Sequence, residues 1–176
     1  MPGQGGEHDV PDTTRSRTVT WQDPMASALA GAQLSGLEAI RAVMAGIVPP
    51  PPIAALMGMD IVSADPGVVV FTAVPDESHY NPIGAVHGGL VCTLLDSALG
   101  CAVHTTLAHG LAYTSLEIKV SYVARVHTGS GTLTATGRVT KPGKRVAFAE
   151  GEVVDASGRV VATSTSTFLV FPLPTA

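Results

Sequence analysis

The sequence predicts an α+β protein in which a curved antiparallel β-sheet wraps a long central helix, with an extra helix near the N-terminus. Three observations predict this class. One helical segment is apolar nearly all round, strand-like runs precede and follow it, and short turns join the later runs. A helix without a broad polar face must be enclosed, and crossover helices for a parallel sheet are absent from the sequence pattern. We therefore expect one sheet folded around one helix.

Size and charge limit the possibilities. The chain has 176 residues, 45% of them hydrophobic and 14% charged, with a formal net charge of −4, which suits one globular core. We expect a flexible tail over 1–24, a helix with a proline-rich stop over 25–52 and the main domain over 53–176. The net charge and the lack of a base-reading motif argue against nucleic-acid binding.

The N-terminus also bears on location. It shows no signal-peptide pattern, and no stretch reaches the roughly 20 apolar residues that span a bilayer. We therefore expect a cytoplasmic protein without a membrane partner.

A helical pattern covers residues 25–48. Apolar residues recur there at spacings of three and four, which line one helix face. They are Leu37, Ile40, Met44 and Ile47. The run from Pro49 to Pro52 should end this helix, because proline lacks an N–H donor and disfavours helical geometry in the residue before it.

Six strands are expected, two before the central helix in sequence and four after it. Ile61–Asp65 and Gly67–Val74 should form a hairpin around Pro66 and Gly67. The later runs carry turn residues between neighbours, so an antiparallel meander is the simplest topology. These later runs are Tyr113–Val126, Gly131–Lys141, Arg145–Asp155 and Val160–Phe171.

The central helix is expected from Gly88 to about Thr106. Leucine, valine and alanine cover almost its whole circumference, and polar or small residues collect on the remaining side. That side should face a pocket or a subunit interface. Its members are Thr93, Asp96, Ser97, Gly100 and His104.

Asp96 is the only carboxylate in this apolar helix, and its burial requires compensation. Either Asp96 bonds to Thr93 or a backbone group in a structural role, or it takes part in chemistry. At the start of the helix, His87, Gly88 and Gly89 expose backbone N–H groups at the positive end of the helix dipole. Glycines there permit close approach of a carbonyl, as an oxyanion hole requires, although a plain tight turn would use them too.

Together these residues resemble the hotdog-fold thioesterases of the phenylacetic-acid-degradation (PaaI-like) and acyl-CoA thioesterase 13-like family. The matching motif reads N-PIGAV-HGG-LVCTLL-D, from Asn81 through His87, Gly88 and Gly89 to Asp96. The similarity extends over 57–171, through the TSLE strand and the KPGKRVAF hairpin. The resemblance implies a hotdog fold, acyl-CoA thioesterase activity and no cofactor.

The resemblance also implies roles for residues. Asp96 would be the catalytic carboxylate, acting as general base or nucleophile, and the Gly88 backbone N–H would be the oxyanion donor. Asn81 and His87 would be positioning groups, and Ser115 a polar partner near the attacking water. It further implies a homodimer or a dimer of dimers with composite sites, in which one protomer supplies the Asn81 and Gly88 side and the other the Asp96 and Ser115 side.

Basic residues should bind the coenzyme A part of the substrate, which we call the coenzyme A handle. Lys144 and Arg145, with Lys141 beside them, form the densest basic cluster in an acidic chain. Without the resemblance they are a solvated hairpin tip, and with it they are expected to contact the phosphates of coenzyme A. Gly89 is expected to border the substrate as well.

Other chemistries fit less well. The histidines lack zinc-ligand spacing, so no metal is expected, and Cys92 and Cys101 lie on opposite helix faces and cannot pair. Apolar neighbours make Cys92 an inert thiol. Two alternatives remain open: a non-catalytic acyl-CoA-binding module and a hotdog enoyl-CoA hydratase.

Overall fold

A computed structural model describes residues 13–173 of the chain. Its helices are α1 (Pro24–Gly31), α2 (Gly36–Met44), α3 (Pro52–Met57) and α4 (Gly88–His104). Its strands are β1 (Met59–Asp65), β2 (Val68–Ala73), β3 (Leu111–Tyr122), β4 (Leu133–Lys141), β5 (Val146–Val154) and β6 (Val160–Pro172). Short 3-10 helices cover Glu77–His79 and Thr128–Ser130.

The strands form one antiparallel sheet in the order β1-β2-β4-β5-β6-β3. The predicted antiparallel sheet and central helix are confirmed, but the predicted meander is wrong for β3. Because α4 crosses one face of the sheet after β2, the chain reaches the far edge, and β3 pairs there with β6. The next strand, β4, then returns to pair with β2.

The core lies between α4 and the sheet. Leu94, Leu95 and Leu99 of α4 have no exposed surface, as the all-round apolar pattern predicts. The helix backbone touches the sheet at Gly137, where a Cβ atom would lie 2.4 Å from the carbonyl oxygen of Ala98. Glycine at that position lets α4 lie directly on β4.

The predicted helix over 25–48 is wrong as a single element, since the structure has two helices there. Ser35 and Glu38 form a capping box that starts α2 afresh, which interrupts the helical pattern. Of the predicted apolar face, Ile40 is buried, whereas Ile47 lies beyond the helix and is 78% exposed. The apolar spacing therefore continued past the end of the helix.

The proline run ends one helical region and begins another. Residues 49–51 are not helical, but Pro52 opens α3, because the first turn of a helix does not need the missing proline N–H. Gly58, at a φ of +61°, ends α3 in the left-handed region. The sequence pattern did not predict α3.

The predicted tail is described from residue 13 onward, and 1–12 lie outside the described residues. Residues 13–23 contain neither helix nor strand, yet they are tied to the body. Arg17 Nη2 donates to the carbonyl oxygen of Leu56 at 2.5 Å, and Arg17 Nη1 donates to Ser78 Oγ at 3.1 Å. Arg15 pairs with Glu77 at 2.6 Å. We call residues 13–23 the N-terminal arm; its contacts join α3 to the 3-10 helix at Glu77–His79.

Between residues 13 and 173, no helix combines the length and apolar character that crossing a bilayer would require.

Candidate active site

The middle of α4 brings Asp96 and Ser115 together. Ser115, on β3, donates its hydroxyl hydrogen to Asp96 Oδ1 across 2.8 Å. Thr93 donates instead to the carbonyl oxygen of Gly89 at 2.9 Å, so the structural alternative of an Asp96–Thr93 bond is wrong. The carboxylate is thus held from β3, and its second oxygen has no hydrogen-bond donor among the described residues.

A cavity of about 390 Å³ opens beside this pair. Asp96, Ser97 and Ser115 line it, together with largely apolar side chains from α2, α3 and β1 and the carboxylate of Asp60. We call it the Asp96 cavity. A largely apolar lining with a few polar groups suits a ligand with a reactive head and a hydrocarbon tail.

Raised pKa values argue against the two thiols of α4 as nucleophiles. Burial raises the pKa of Cys101 to about 12, and burial also raises the pKa of Cys92. Both cysteines are unpaired, as their opposite helix faces predict. Burial likewise raises the pKa of Tyr113 well above its usual value, so this phenol stays protonated. The remaining ionisable groups of the cavity lining are two carboxylates, Asp60 and Asp96, and Ser115 donates a hydrogen bond to that of Asp96.

The start of α4 presents a backbone donor. His87 is the N-cap, and its Nδ1 accepts from the Gly89 N–H at 2.8 Å. The His87 N–H donates to the carbonyl oxygen of His79 at 2.7 Å. Among residues 13–173, no acceptor takes the Gly88 N–H. The helix start therefore offers the Gly88 N–H, while that of Gly89 is already bonded.

The loop before the helix is fixed by its own hydrogen bonds. Asn81 Oδ1 accepts from the N–H groups of Ile83 and Ala85, each at 3.1 Å. Arg125 Nη2 donates to the carbonyl oxygen of Gly84 at 2.8 Å and to that of Ile83 at 3.3 Å. Asn81 thus shapes the loop that leads to His87. Arg125 lies over 40 residues away in sequence, and no spacing rule points to it.

Tyr122 is a further residue that the sequence did not indicate. Its hydroxyl donates to the carbonyl oxygen of Gly88 at 2.9 Å, and a Cβ at Gly88 would lie 2.9 Å from its ring. Since Ser115 bonds to Asp96, β3 contacts α4 at both places. The alternation of β3 residues does not indicate which of them reach the helix.

The predicted site residues fall into two groups. The N-terminal group contains Asn81, His87, Gly88 and Gly89, and the mid-helix group contains Asp96 and Ser115. Gly88 and Asp96 are eight positions apart on α4, which corresponds to about 12 Å along the helix axis. One carbonyl carbon cannot contact both groups of the same chain.

The predicted basic cluster lies apart from both groups. Lys144 and Arg145 are exposed in the turn between β4 and β5. Val146 pairs with Leu169, which in turn pairs with Thr114. The turn is therefore about two strand spacings, or roughly 10 Å, from the β3 segment that carries Ser115.

Within the described chain, no cluster of three or more His, Cys, Asp or Glu side chains is arranged to hold a metal ion.

The antiparallel sheet around a long central helix is the fold of the hotdog thioesterase class. The thioesterase superfamily model matches residues 83–162. Human acyl-coenzyme A thioesterase 13 is 33% identical over 103 residues, which are 58% of this chain and 72% of the human protein. The chain belongs to the thioesterase superfamily.

Solved structures agree with this assignment. E. coli PaaI, from the phenylacetic acid degradation operon, aligns with a TM-score of 0.67 and 25% identity, over 80% of this chain and 96% of PaaI. The smu.793 protein of Streptococcus mutans, bound to acetyl CoA, aligns with a TM-score of 0.60 and 26% identity, over 66% of this chain and 91% of the smu.793 chain. The predicted resemblance, hotdog fold and thioester hydrolase class are confirmed.

Proposed function

We propose that this protein hydrolyses acyl-CoA thioesters to a free acid and coenzyme A. The observation that carries the proposal is the pairing of Asp96 with Ser115 in the lining of a largely apolar cavity. The free Gly88 N–H supplies the second element that the chemistry needs. The relatives named as acyl-coenzyme A thioesterases support the same substrate class.

The active unit in this proposal is a homodimer, alone or as a dimer of dimers. Because Gly88 and Asp96 of one chain are about 12 Å apart, each site takes the N-terminal group of one protomer and the mid-helix group of the other. Strand β3 is an edge of the sheet and exposes Leu116 and Tyr122 by 56% and 55%. An unpaired edge with apolar side chains suits contact with a second copy.

The two groups divide the chemistry between them. The Gly88 N–H stabilises the negative charge that develops on the thioester oxygen. Asp96 accepts a proton from water as the water attacks the carbonyl carbon, or attacks that carbon itself. The C–S bond then breaks, and coenzyme A leaves as a thiolate. Where Asp96 itself attacks, water then hydrolyses the resulting acyl–Asp96 anhydride, which releases the free acid and restores the carboxylate. His87 leaves the Gly88 N–H free by capping Gly89, and Ser115 orients the carboxylate.

The coenzyme A handle meets Lys144 and Arg145 in this proposal. Both side chains are exposed, and their turn lies roughly 10 Å from the Ser115 segment. Coenzyme A carries its phosphates away from the reacting sulfur, so a basic turn at this distance can bind them without touching the thioester.

A panel of acyl-CoA substrates tests the proposal. Purified protein should release free thiol from saturated acyl-CoA thioesters, followed with a thiol reagent. Loss of enoyl absorbance without thiol release would identify a hydratase instead. Binding without either change would identify a non-catalytic acyl-CoA-binding module.

A further inference from the structure

A second cavity, of about 370 Å³, lies on the other side of α2. Its walls come from α1, α2 and the beginning of β3, and we call it the α1 cavity. The Asp96 cavity, about 390 Å³, is similar in size. The roles proposed above do not involve the α1 cavity, since no residue of the N-terminal group or the mid-helix group lines it.

The partition between the two cavities is thin. Ile40, Val43 and Pro51 line both of them, so one layer of side chains separates the two spaces. Ile40 belongs to the buried core, whereas Val43 is only half-buried. A rotation of the Val43 side chain is therefore the smallest change that would connect the cavities.

The chemistry of the α1 cavity suits hydrocarbon. Its lining is apolar except for the side chains of Ser27 and His104. Burial lowers the pKa of His104, which leaves the imidazole neutral near pH 7. No charged side chain in the described chain lines this cavity, so a charged ligand would lose its hydration there without a partner.

The outer wall of the α1 cavity is weakly attached. Helix α1 has no buried residue, and it exposes Met25 and Leu29 by 62% and 67%. Few buried contacts are typical of segments that open at low cost. A chain end that enters from the Asp96 cavity could therefore be accommodated by a small outward movement of α1.

We propose that the two cavities form one acyl-binding tract, in which the α1 cavity holds the far end of long, unbranched acyl chains. The inference rests on the proposed function and specifies its substrate class. The thioester lies beside Asp96, the near part of the chain fills the Asp96 cavity, and the chain passes Val43 into the α1 cavity. Val43 is then a specificity-determining residue for chain length.

Filling the α1 cavity tests the proposal. Ala28 lines this cavity from α1, whereas Ala26, on the same helix, lines neither cavity. In Ala28→Trp, kcat/KM for hexadecanoyl-CoA should fall ~10-fold or more, because each methylene kept in water costs about fourfold in affinity. Butanoyl-CoA should be affected by less than about twofold, and the control Ala26→Trp should hydrolyse both substrates like the wild type.

A second variant fills the cavity from the inside. Ala39 is buried on α2 and lines only the α1 cavity, so the added ring in Ala39→Phe must enter that space. Its melting temperature is measured first, and if it does not fold, Ala28→Trp decides. Equal loss for short and long chains in the folded variants, or no change in the chain-length profile, would overturn the inference.

Opening the partition gives the complementary result. Val43→Ala should raise kcat/KM for hexadecanoyl-CoA several-fold relative to octanoyl-CoA in the wild-type background. The same change in an Ala28→Trp background should have no such effect, since the chamber behind Val43 is already filled. A gain that persists in the double variant would contradict the tract.

Calorimetry with butyl-CoA and hexadecyl-CoA thioethers, which cannot be hydrolysed, separates this inference from the proposed function. A preference for hexadecyl-CoA that Ala28→Trp removes supports the tract, even if no acyl-CoA is hydrolysed. Hydrolysis of acyl-CoA with no effect of any cavity variant leaves the proposed function standing and overturns the tract.

Discussion

The N-terminal group and the mid-helix group of the candidate site differ in the kind of atoms that compose them. The N-terminal group is mainly backbone, held by the Asn81 carboxamide, the His87 cap and the Arg125 clamp. The mid-helix group is two side chains, Asp96 and Ser115, joined by one hydrogen bond beside a cavity. A backbone donor survives most side-chain substitutions, whereas a side-chain base is lost with one. In the mid-helix group a substitution of Asp96 should therefore abolish activity directly, whereas in the N-terminal group only substitutions that move the Gly88 N–H should do so, such as loss of the Asn81 carboxamide that shapes the loop.

The largest effect is expected at Asp96. Asp96→Asn should lower kcat by ~10²-fold or more, because the amide cannot accept the proton of water. The amide is nearly isosteric, so the melting temperature should change little. Steady-state kinetics with an acyl-CoA and thermal denaturation measure the two effects.

Asp60→Asn is the matched control, since Asp60 is the other carboxylate that lines the Asp96 cavity. It should leave kcat near the wild-type value. Wild-type kcat in Asp96→Asn, or a large fall in its melting temperature, would instead indicate a structural role for Asp96.

A smaller loss is expected at Ser115. Ser115→Ala removes the hydrogen bond to Asp96 Oδ1 but leaves the carboxylate in place. An exposed hydrogen bond to a charged group contributes about 1.5 kcal/mol, the low end of the usual range, so kcat should fall by ~10-fold. Ser121→Ala, an exposed position on the same strand, should have no effect. An equal loss at both positions would show that β3 is merely disturbed.

The next effect concerns the coenzyme A handle. The double variant Lys144→Ala, Arg145→Ala should raise KM for an acyl-CoA a few-fold at low salt, with little change in kcat. A short N-acetylcysteamine thioester, which lacks the phosphates, should be unaffected. Lys119→Ala with Arg138→Ala, two basic residues on the polar face of the sheet, provides the control. An unchanged KM in the first double variant would contradict phosphate binding by this turn.

The smallest effect is expected in the arm. Arg17→Gln removes the contacts to Leu56 and Ser78, while the loop before α4 keeps its own hydrogen bonds. The free energy of unfolding should fall by about 1 kcal/mol, or a few degrees in melting temperature, with kcat nearly unchanged. Arg15→Gln, which removes one exposed ion pair, should have less effect still. A large loss of kcat in Arg17→Gln would mean that the N-terminal group depends on the arm.

Particular residues show how far the sequence alone could lead. The all-round apolar pattern predicted α4 almost to its ends, and turn residues predicted the hairpin of β1 and β2. The far-edge position of β3 depends on where α4 crosses the sheet, which local patterns do not contain. The break between α1 and α2 was missed because the apolar spacing runs through it, although a capping box at Ser35 and Glu38 starts α2 as a new helix.

The site shows a similar division. The unusual cost of a carboxylate in an apolar helix indicated Asp96, and the glycines indicated the helix start. The Ser115 contact with Asp96 and the Tyr122 contact with Gly88 join elements distant in sequence. The family resemblance predicted the role of Ser115. The contacts of Tyr122 and Arg125 could be identified only from the three-dimensional structure. The distance of about 12 Å along α4 between Gly88 and Asp96 then showed that the two groups of one chain cannot act on the same carbonyl carbon.

Mixing two inactive variants tests the division of each site between protomers most directly. Asp96→Asn chains keep an intact N-terminal group, and Asn81→Ala chains keep an intact mid-helix group. After the two are unfolded and refolded together in equal amounts, a shared site predicts about a quarter of wild-type kcat per chain, because half of the dimers are mixed and each has one complete site. Each variant refolded alone should stay inactive. Activity in the mixture no greater than the average of the two separate variants would contradict the account.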